Sequence, residues 1–449
     1  MTALTSNSAG QSVPAGHRLS EADYQTNFSD IHTPLDARSA VVEADRCYYC
    51  YGAPCQTACP TDIDVPSFIR MISEKNEVGA AGKILSENIM GGTCARACPV
   101  ETLCEDACVR NTEDDRPIQI GLLQRFATDR ASELGAKFFT RKAATGYSVA
   151  VVGAGPAGLS CAHRLATLGH DVVIYEAQEK SGGLNEYGLA AYKMAGDYAQ
   201  KEVENILSIG GISIKHGTKV GKDVSFAELQ TNHDAVFMGV GLGTSKDIQL
   251  DGEYASGVLN AVDYIHQLRQ AKDLGQLPVG QDVVVIGGGM TAIDIAIQIK
   301  RLGAANVTMA YRRGKEHMNA SIEEQEFALN EGVHIAHWAK PVSLQIEQGT
   351  ITGVEFKKAN VEGNETYITP TDMLFKAIGQ SLTPINMGTT EFVKTSGKYD
   401  VDNELRTSQL GIWAGGDCVS GSDDLAVSAV QDGKLAALSI HKTLTQSQA

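Results

Sequence analysis

Residues 148–177 read SVAVVGAGPAGLSCAHRLATLGHDVVIYEA. An apolar run leads into a glycine turn, then into a segment with helical spacing, then into a second apolar run that ends in an acid. This is the pattern of a βαβ unit. Each glycine of the turn has its own task. Gly153 permits the tight bend, Gly155 lets backbone approach a pyrophosphate, and Gly158 lets helix and strand pack closely. The phosphate would rest on the helix N-terminus. Glu176 ends the second strand, where a carboxylate binds ribose hydroxyls. A G-x-G-x-x-G alone says little, but here its strand, helix and acid all stand at the required distances.

Residues 282–313, DVVVIGGGMTAIDIAIQIKRLGAANVTMAYRR, repeat the pattern 134 residues further on, counted from Gly153 to Gly287. The second turn carries Gly287, Gly289 and Ala292, and its second strand ends in Arg312-Arg313 instead of an acid. A guanidinium pair there suits an adenosine 2′-phosphate and favours NADP over NAD. The plainer reading, a solvated basic pair on a loop, stays open. Two dinucleotide sites, one inserted after the other, suggest a flavin paired with a nicotinamide. The closing segment GIWAGGDCVSGSDDLAVSAVQDGK, residues 411–434, reads as strand, acid-bearing turn and helix. In such folds an aspartate placed like Asp417 contacts the flavin, and a helix start like that near Leu425 faces its ring system.

Residues 47–60 read CYYCYGAPCQTACP, spaced C-x2-C-x4-C-x3-C-P, and Cys94, Cys98-Pro99, Cys104 and Cys108 follow. Eight of the ten cysteines therefore lie within Cys47–Cys108. Structural zinc usually draws on paired C-x2-C knuckles or on histidines. Here there is one C-x2-C, no histidine in that interval, and two Cys-Pro steps. Closely spaced thiolates with Cys-Pro are the grammar of iron–sulfur loops. Two cubane clusters need eight ligands, and eight cysteines are present. The count alone does not assign them.

The bulk numbers set limits. The 449 residues are 43% hydrophobic and 20% charged, as in ordinary globular proteins. About three domains are expected from length alone. A net charge of −16 argues against nucleic acid as a main partner. The polar start lacks an apolar targeting segment, and no run is long enough for a membrane span. A cytoplasmic location with reduced thiols is expected.

Taken together, CYYCYGAPCQTACP, GGTCARACPVETLCEDAC, GLLQRF, GAGPAG, GGGMTA, YRRG and AGGDCV resemble the N-terminal half of dihydropyrimidine dehydrogenase. In bacteria that half is a separate small subunit. The chain is similar, more distantly, to the small subunit of glutamate synthase. The resemblance runs from about residue 41 to the end. It implies interleaved clusters, one held by Cys47, Cys50, Cys55 and Cys108, the other by Cys59, Cys98, Cys104 and Gln124. Cys94 would then be free, and eight cysteine ligands with Cys94 included is the alternative. For FAD the resemblance implies Gly153, Gly155, Pro156, Ala157, Gly158 and Glu176, then Leu184, Lys193 and Val220, with Gly416, Asp417 and Leu425 from the closing segment. For the nicotinamide cofactor it implies Gly288, Gly289, Met290, Thr291, Arg312 and Arg313, with Ala377 and Gly379 near the domain crossover. Met318-Asn319-Ala320 departs from the Met-Pro-Ala often found in relatives.

The expected fold class is α/β, a helical iron–sulfur domain followed by two nested Rossmann-like domains. The expected boundaries are a polar arm (1–40), a helical domain with two 4Fe-4S clusters (41–145), an FAD domain in two segments (146–248 and 380–449), and an inserted NAD(P) domain (249–379). The resemblance implies an electron-input subunit of a hetero-oligomer. It would oxidise NAD(P)H and feed a partner subunit with an FMN-containing barrel and its own clusters, which reduces uracil or thymine. The alternatives are a glutamate synthase small subunit, another NAD(P)H:ferredoxin-type flavoprotein, or a redox sensor without turnover. No side chain is assigned a catalytic acid–base role. His163, His170, His216 and His317 read as structural or surface residues, with His317 a minor candidate near the nicotinamide cofactor, and Cys161 and Cys418 lack a C-x-x-C partner.

Overall fold

The computed structural model of the chain describes residues 18–360 and 365–446. Its contacts divide it into two compact units instead of three. Of the described residues, one holds 32–186, 196–243 and 382–446; the other holds 18–31, 187–195, 244–360 and 365–381. The cysteine region and both outer dinucleotide-binding segments thus share one unit.

In that larger unit a five-stranded parallel sheet runs in the order Ile412–Ala414, Ala235–Met238, Ser148–Val152, Asp171–Tyr175, Ile212–Lys215. Parallel strands are buried on both faces and so read as continuous apolar runs. Val149, Ala150, Val151 and Val152 are all buried accordingly. The Pro156–Thr167 helix covers one face, and the Ala426–Gln446 helix packs on that helix. Gly433 makes the approach possible, because a Cβ there would stand 2.2 Å from the Ala157 carbonyl oxygen. Any larger residue would force the two helices apart.

The cysteine region of the same unit is helical. The stretch VPSFIRMISEKNEVGAAGKILSEN folds as two helices, Val65–Ser73 and Glu77–Glu87. Lys75 takes a positive φ of 60°, and the Asn76 side chain caps the second helix by accepting from the Gly79 amide. Asparagine is a favoured N-cap, so a periodicity that looks continuous is broken by local chemistry. Phe68, Ile69, Ile72, Ile84 and Leu123 form the core of this region. The Ile120–Glu133 helix, which carries Gln124, has no cap of its own. Glu105 supplies one, accepting from the Gly121 amide at 2.9 Å.

The short Gly91–Ala97 helix is held at its start by Glu202, which accepts from the amides of Gly92 and Thr93 at 3.0 Å each and from the Thr93 hydroxyl. Nearby, Arg96 makes a forked ion pair with Asp129, 2.8 Å to each oxygen, and lies over the Tyr198 ring.

The smaller unit holds a second five-stranded parallel sheet, ordered Val258–Asn260, Met373–Ala377, Asp282–Gly287, Asn306–Ala310, His334–Ala336. A three-stranded antiparallel sheet, Ala339–Glu347, Thr350–Lys358 and Thr366–Pro370, accompanies it. Part of the segment expected as a polar arm belongs here. Residues Glu21–Asn27 form a helix with a Ser20–Asp23 capping box, and Tyr24 is buried in the core of this unit. The segment looks polar because little of it beyond Tyr24 and Phe28 is spent on the core. Residues 1–17 of the expected arm lie outside the described residues.

Burial raises the Glu202 carboxyl from 4.5 to about 7, outweighing its hydrogen bonds. A carboxyl raised on folding stabilises the fold fully below its unfolded pKa, and that contribution fades as pH climbs through the folded one. Glu202→Gln keeps an oxygen for the two amides and removes the titration. The stability of the native chain relative to this variant should therefore fall by roughly 3 kcal/mol as pH rises from about 4.5 to beyond 7. Urea melts across this range would read it, and a pH-independent difference would refute the assignment.

Candidate cofactor sites

The first glycine turn follows the Ser148–Val152 strand and opens the Pro156–Thr167 helix, with Pro156 at its first position. Gly153 has φ 97°, and its amide donates to the Tyr175 carbonyl at 2.9 Å. A Cβ on Gly158 would stand 2.0 Å from the Gly153 carbonyl oxygen, so this glycine serves packing. At Gly155 the surroundings differ. A Cβ there would meet only the Gly183 Cα, at 3.8 Å. The space over this turn is open, as a pyrophosphate would require. Glu176 accepts from the Ala154 amide and the Gln178 amide, each at 2.7 Å, while burial pushes its carboxyl up. The carboxylate therefore lies on the turn itself.

Leu184 follows Gly183 and is partly exposed beside this turn. From the closing segment, a Cβ on Gly416 (φ 78°) would come within 3.1 Å of the Ala157 Cβ, which places Gly416 and Asp417 against the helix start. Burial, aided by Asp424, raises the Asp417 carboxyl to about 6. The Leu425 carbonyl accepts from Ala429 at the head of the last helix. Val220 packs in the core with Tyr175 and Val152. Lys193 lies outside the larger unit. It belongs to the smaller unit, where its ammonium sits 2.9 Å from Asp294 and 2.6 Å from Glu324 and is held protonated by both.

The second turn is built alike. Gly287 lies under the Ala377 carbonyl oxygen, and Gly289 has nothing within 4 Å of a Cβ position. Gly289 caps the helix that begins with Met290 and Thr291. The Gly288 carbonyl accepts from the Asn319 amide at 2.9 Å. A proline at position 319 could not make that bond, so the departure at Met318-Asn319-Ala320 changes how this turn is held. Arg312 and Arg313 are exposed after the second strand, and neither makes an ion pair among the described residues. Gly379, with φ 99°, lies in the crossover, where its carbonyl accepts from the Lys246 amide at 3.0 Å.

The cysteines surround two cavities. The first, of about 370 Å³ with its open mouth included, is lined by Cys47, Cys50, Cys55 and Cys108 with Val65, Ile69 and Ile120. The second, of about 340 Å³ on the same measure, is lined by Cys59, Cys94, Cys98, Cys104 and Gln124. The sorting of thiols into two groups thus coincides with the interleaved assignment, and Cys94 joins the second group. Among the described residues no three His, Cys, Asp or Glu side chains converge as they would on a single ion. Thiols ringing a void fit a cluster better than a lone zinc. Gln124 Nε2 donates to the Gly91 carbonyl at 2.7 Å, which leaves the amide oxygen as its free ligating atom. Burial pushes the Cys55 and Cys94 thiols up to about 12 and raises those of Cys98 and Cys104 well above their ordinary value. Iron would supply the positive charge that keeps such sulfurs deprotonated.

Sequence reasoning missed Val427 and Asn88, which also line the second cavity. Val427 stands two residues past Leu425 on the last helix, where it reads as ordinary core. Nothing in the spacing of Asn88 marks it. Lys434 on the same helix donates to the Thr61 carbonyl at 3.1 Å and to Glu87 at 3.0 Å, pinning that helix to the cysteine region. The remaining thiols are of another kind. Cys161 and Cys418 are each fully buried and raised by burial, unlike a reactive redox pair. His163 and His170 are both pushed down to about 4, mainly by burial.

Comparison with known proteins agrees with these features. Residues 24–136 match the family model "Dihydropyrimidine dehydrogenase domain II, 4Fe-4S cluster", and residues 147–433 match "Pyridine nucleotide-disulphide oxidoreductase". The chain is 35% identical over 428 residues to the NAD-dependent dihydropyrimidine dehydrogenase subunit PreT homolog of Salmonella typhi, covering 94% of this chain and 99% of that one. It is 33% identical over 443 residues to the glutamate synthase [NADPH] small chain of Escherichia coli, covering 91% and 92%. Among solved structures, the thioredoxin reductase of T. acidophilum superposes with a TM-score of 0.55 at 23% identity, over 68% of this chain and 99% of that one. FprA of Mycobacterium tuberculosis in complex with NADPH gives 0.57 at 17%, over 67% and 85%.

The fold and the two kinds of site define an NAD(P)H-dependent flavin and iron–sulfur oxidoreductase. The chain belongs to the pyridine nucleotide-disulphide oxidoreductase family, in the branch that carries the dihydropyrimidine dehydrogenase 4Fe-4S domain at its N-terminal side.

The open space at Gly155 yields a discriminating test. Gly155→Val, at an extended backbone position (φ −80°), should fold yet retain FAD at least tenfold less well than the native chain. Its unfolding midpoint should match that of the flavin-stripped native chain. Gly158→Val should fail to fold. Flavin released on denaturation, read beside the melt, separates the two. Full flavin occupancy in the Gly155 variant would place the dinucleotide elsewhere.

Proposed function

We propose that this chain is the electron-input subunit of a dihydropyrimidine dehydrogenase. It would oxidise NAD(P)H and pass the electrons to a partner subunit, an FMN and iron–sulfur barrel that reduces uracil or thymine to the 5,6-dihydropyrimidine. The observation that carries the reading is the second thiol-lined cavity, whose wall includes Val427 from the helix that starts beside Asp417. One structural element thus borders both the flavin segment and a cluster site. When bound, FAD would supply the conversion from a hydride to single electrons, and two 4Fe-4S clusters would supply the conducting centres.

The chain's own residues then have defined tasks. Gly155 and the head of the Pro156–Thr167 helix bind the FAD pyrophosphate, and Glu176 holds the ribose. Gly289, Met290 and Thr291 bind the pyrophosphate of the nicotinamide cofactor, and the unpaired guanidinium groups of Arg312 and Arg313 suit a 2′-phosphate, which favours NADPH. Cys47, Cys50, Cys55 and Cys108 hold one cluster. Cys59, Cys98, Cys104 and Gln124 hold the other. Tyr48 and Tyr51 are exposed beside Cys47 and Cys50 and offer a docking face for the partner. Residues 41–145 act as the cluster module, 146–248 with 380–449 as the FAD module, and 249–379 as the NAD(P) module. Ten free thiols fit the reducing cytoplasm, and no helix among the described residues is long and apolar enough to cross a membrane.

A second reading, the small subunit of glutamate synthase, has the support of the Escherichia coli relative.

Anaerobic iron, sulfide and flavin analysis followed by titration with NADH and NADPH tests the core of the proposal. About eight irons and one FAD per chain, with the flavin bleached by reductant, are expected. Replacing Arg312 and Arg313 by Ala should raise KM for NADPH about tenfold or more and leave NADH little changed. Uracil-dependent NAD(P)H oxidation should require the barrel subunit. Zinc in place of iron, or a flavin that neither nicotinamide reduces, refutes the proposal; glutamate formation with a glutamate synthase large subunit selects the second reading.

A further inference from the structure

Asn88 ends the Glu77–Glu87 helix and is fully buried. Three of its four polar groups are satisfied. Its amide donates to Ile84 O at 2.9 Å, its carbonyl accepts from Gly91 N at 3.0 Å, and Oδ1 accepts from Met90 N at 3.0 Å. Nδ2 is left without an acceptor in hydrogen-bond geometry, and the group it faces is the sulfur of Cys94. A buried donor in that state is expensive and calls for an explanation. The cap needs only an oxygen, which Asp or Ser would also supply. The amide nitrogen is surplus to it.

The surplus group lies in the wall of the second cavity. Around it are Cys59, Cys94, Cys98 and Cys104, and apolar atoms of Ile63, Val100, Leu103 and Val427. The nitrogen of Gln124 is already committed to Gly91. Once Gln124 Oε1 is given to the cluster, the acceptors left in this wall are sulfurs. Hydrogen bonds to cluster sulfurs are among the levers that set a cluster's reduction potential, since they stabilise the more electron-rich state.

We propose that the Asn88 carboxamide donates a hydrogen bond to a sulfur of the cluster held in the second cavity, and thereby raises the reduction potential of that cluster. The proposal rests on the reading of this cavity as a cluster site. Asn88 is a tuning residue here. It takes no part in ligation, and its effect is confined to the cluster whose wall it forms.

The test is an anaerobic redox titration followed by EPR, on the full chain and on Asn88→Ser and Asn88→Leu. Ser keeps an oxygen for the Met90 amide, and Leu keeps the volume. Both remove the amide donor. In each variant the second cluster should titrate at a more negative potential, while the first, lined by Cys47, Cys50, Cys55 and Cys108, stays where it was and serves as the internal reference. Unshifted potentials in a variant with full iron and sulfide overturn the proposal. Should both variants lose the cluster, pulsed EPR on the reduced native chain labelled with 15N-asparagine decides. A 15N coupling at the second cluster is expected, and its absence overturns the inference. A native chain without iron and sulfide would instead refute the cluster reading itself, so the two failures are distinct.

Discussion

The close approach of two helices at Gly433 is the constraint on which the rest of the larger unit depends. With no Cβ at that position, the Ala426–Gln446 helix can lie against the Ala157 carbonyl. The Ser160 hydroxyl fastens the same contact by donating to the Val430 carbonyl at 2.6 Å. Because the helix is rigid, its two ends are then placed together. Its head carries Val427 to the cysteine cavity, Asp432 holds the Gly416 amide beside Asp417 at 2.8 Å, and Lys434 reaches Thr61 and Glu87. A dinucleotide-binding sheet and a cysteine-rich helical region thereby become one unit.

Burial shapes the electrostatics of both units, with opposite effects. Around the cysteine cavities it drives thiols and carboxyls toward their neutral forms, as for Cys94 and Glu202. The thiols can be charged there only if a cationic group shares the space. In the smaller unit Lys193 stays charged although it is buried, because Asp294 and Glu324 flank it. Such a triplet adds little net stability, since desolvation offsets the attraction. It does fix the segment 187–195 at one place on its unit, because moving the ammonium away would leave two buried carboxylates unpaired.

Much of the architecture was legible in the chain itself. The two βαβ units could be read because a strand buried on both faces must be apolar throughout, and because Gly153 and Gly158 stand where any Cβ would strike backbone. The eight clustered cysteines were equally plain, since thiolate ligands cannot be replaced by other residue types without changing the metal chemistry. The helix break at Lys75-Asn76 was not legible, because capping competes with a periodicity that otherwise continues. Nor was the place of Tyr24, one of two aromatics in a polar segment, in the core of the smaller unit.

What the sequence by itself determined is what depends on local rules: residue type, spacing, and the backbone freedom of a few glycines. These set the two dinucleotide turns, the iron–sulfur grammar and the class of chemistry. Only the tertiary structure decided what depends on distance through space. It grouped Cys108 with Cys47, Cys50 and Cys55, and brought Cys94 and Gln124 together with Cys59, Cys98 and Cys104. It put Lys193 between two carboxylates and placed Asn88 beside Cys94 in the wall of the second cavity. No spacing rule encodes these neighbours, because each arises where helices distant in sequence are packed together and buried polar groups must find partners among whatever the packing brings near.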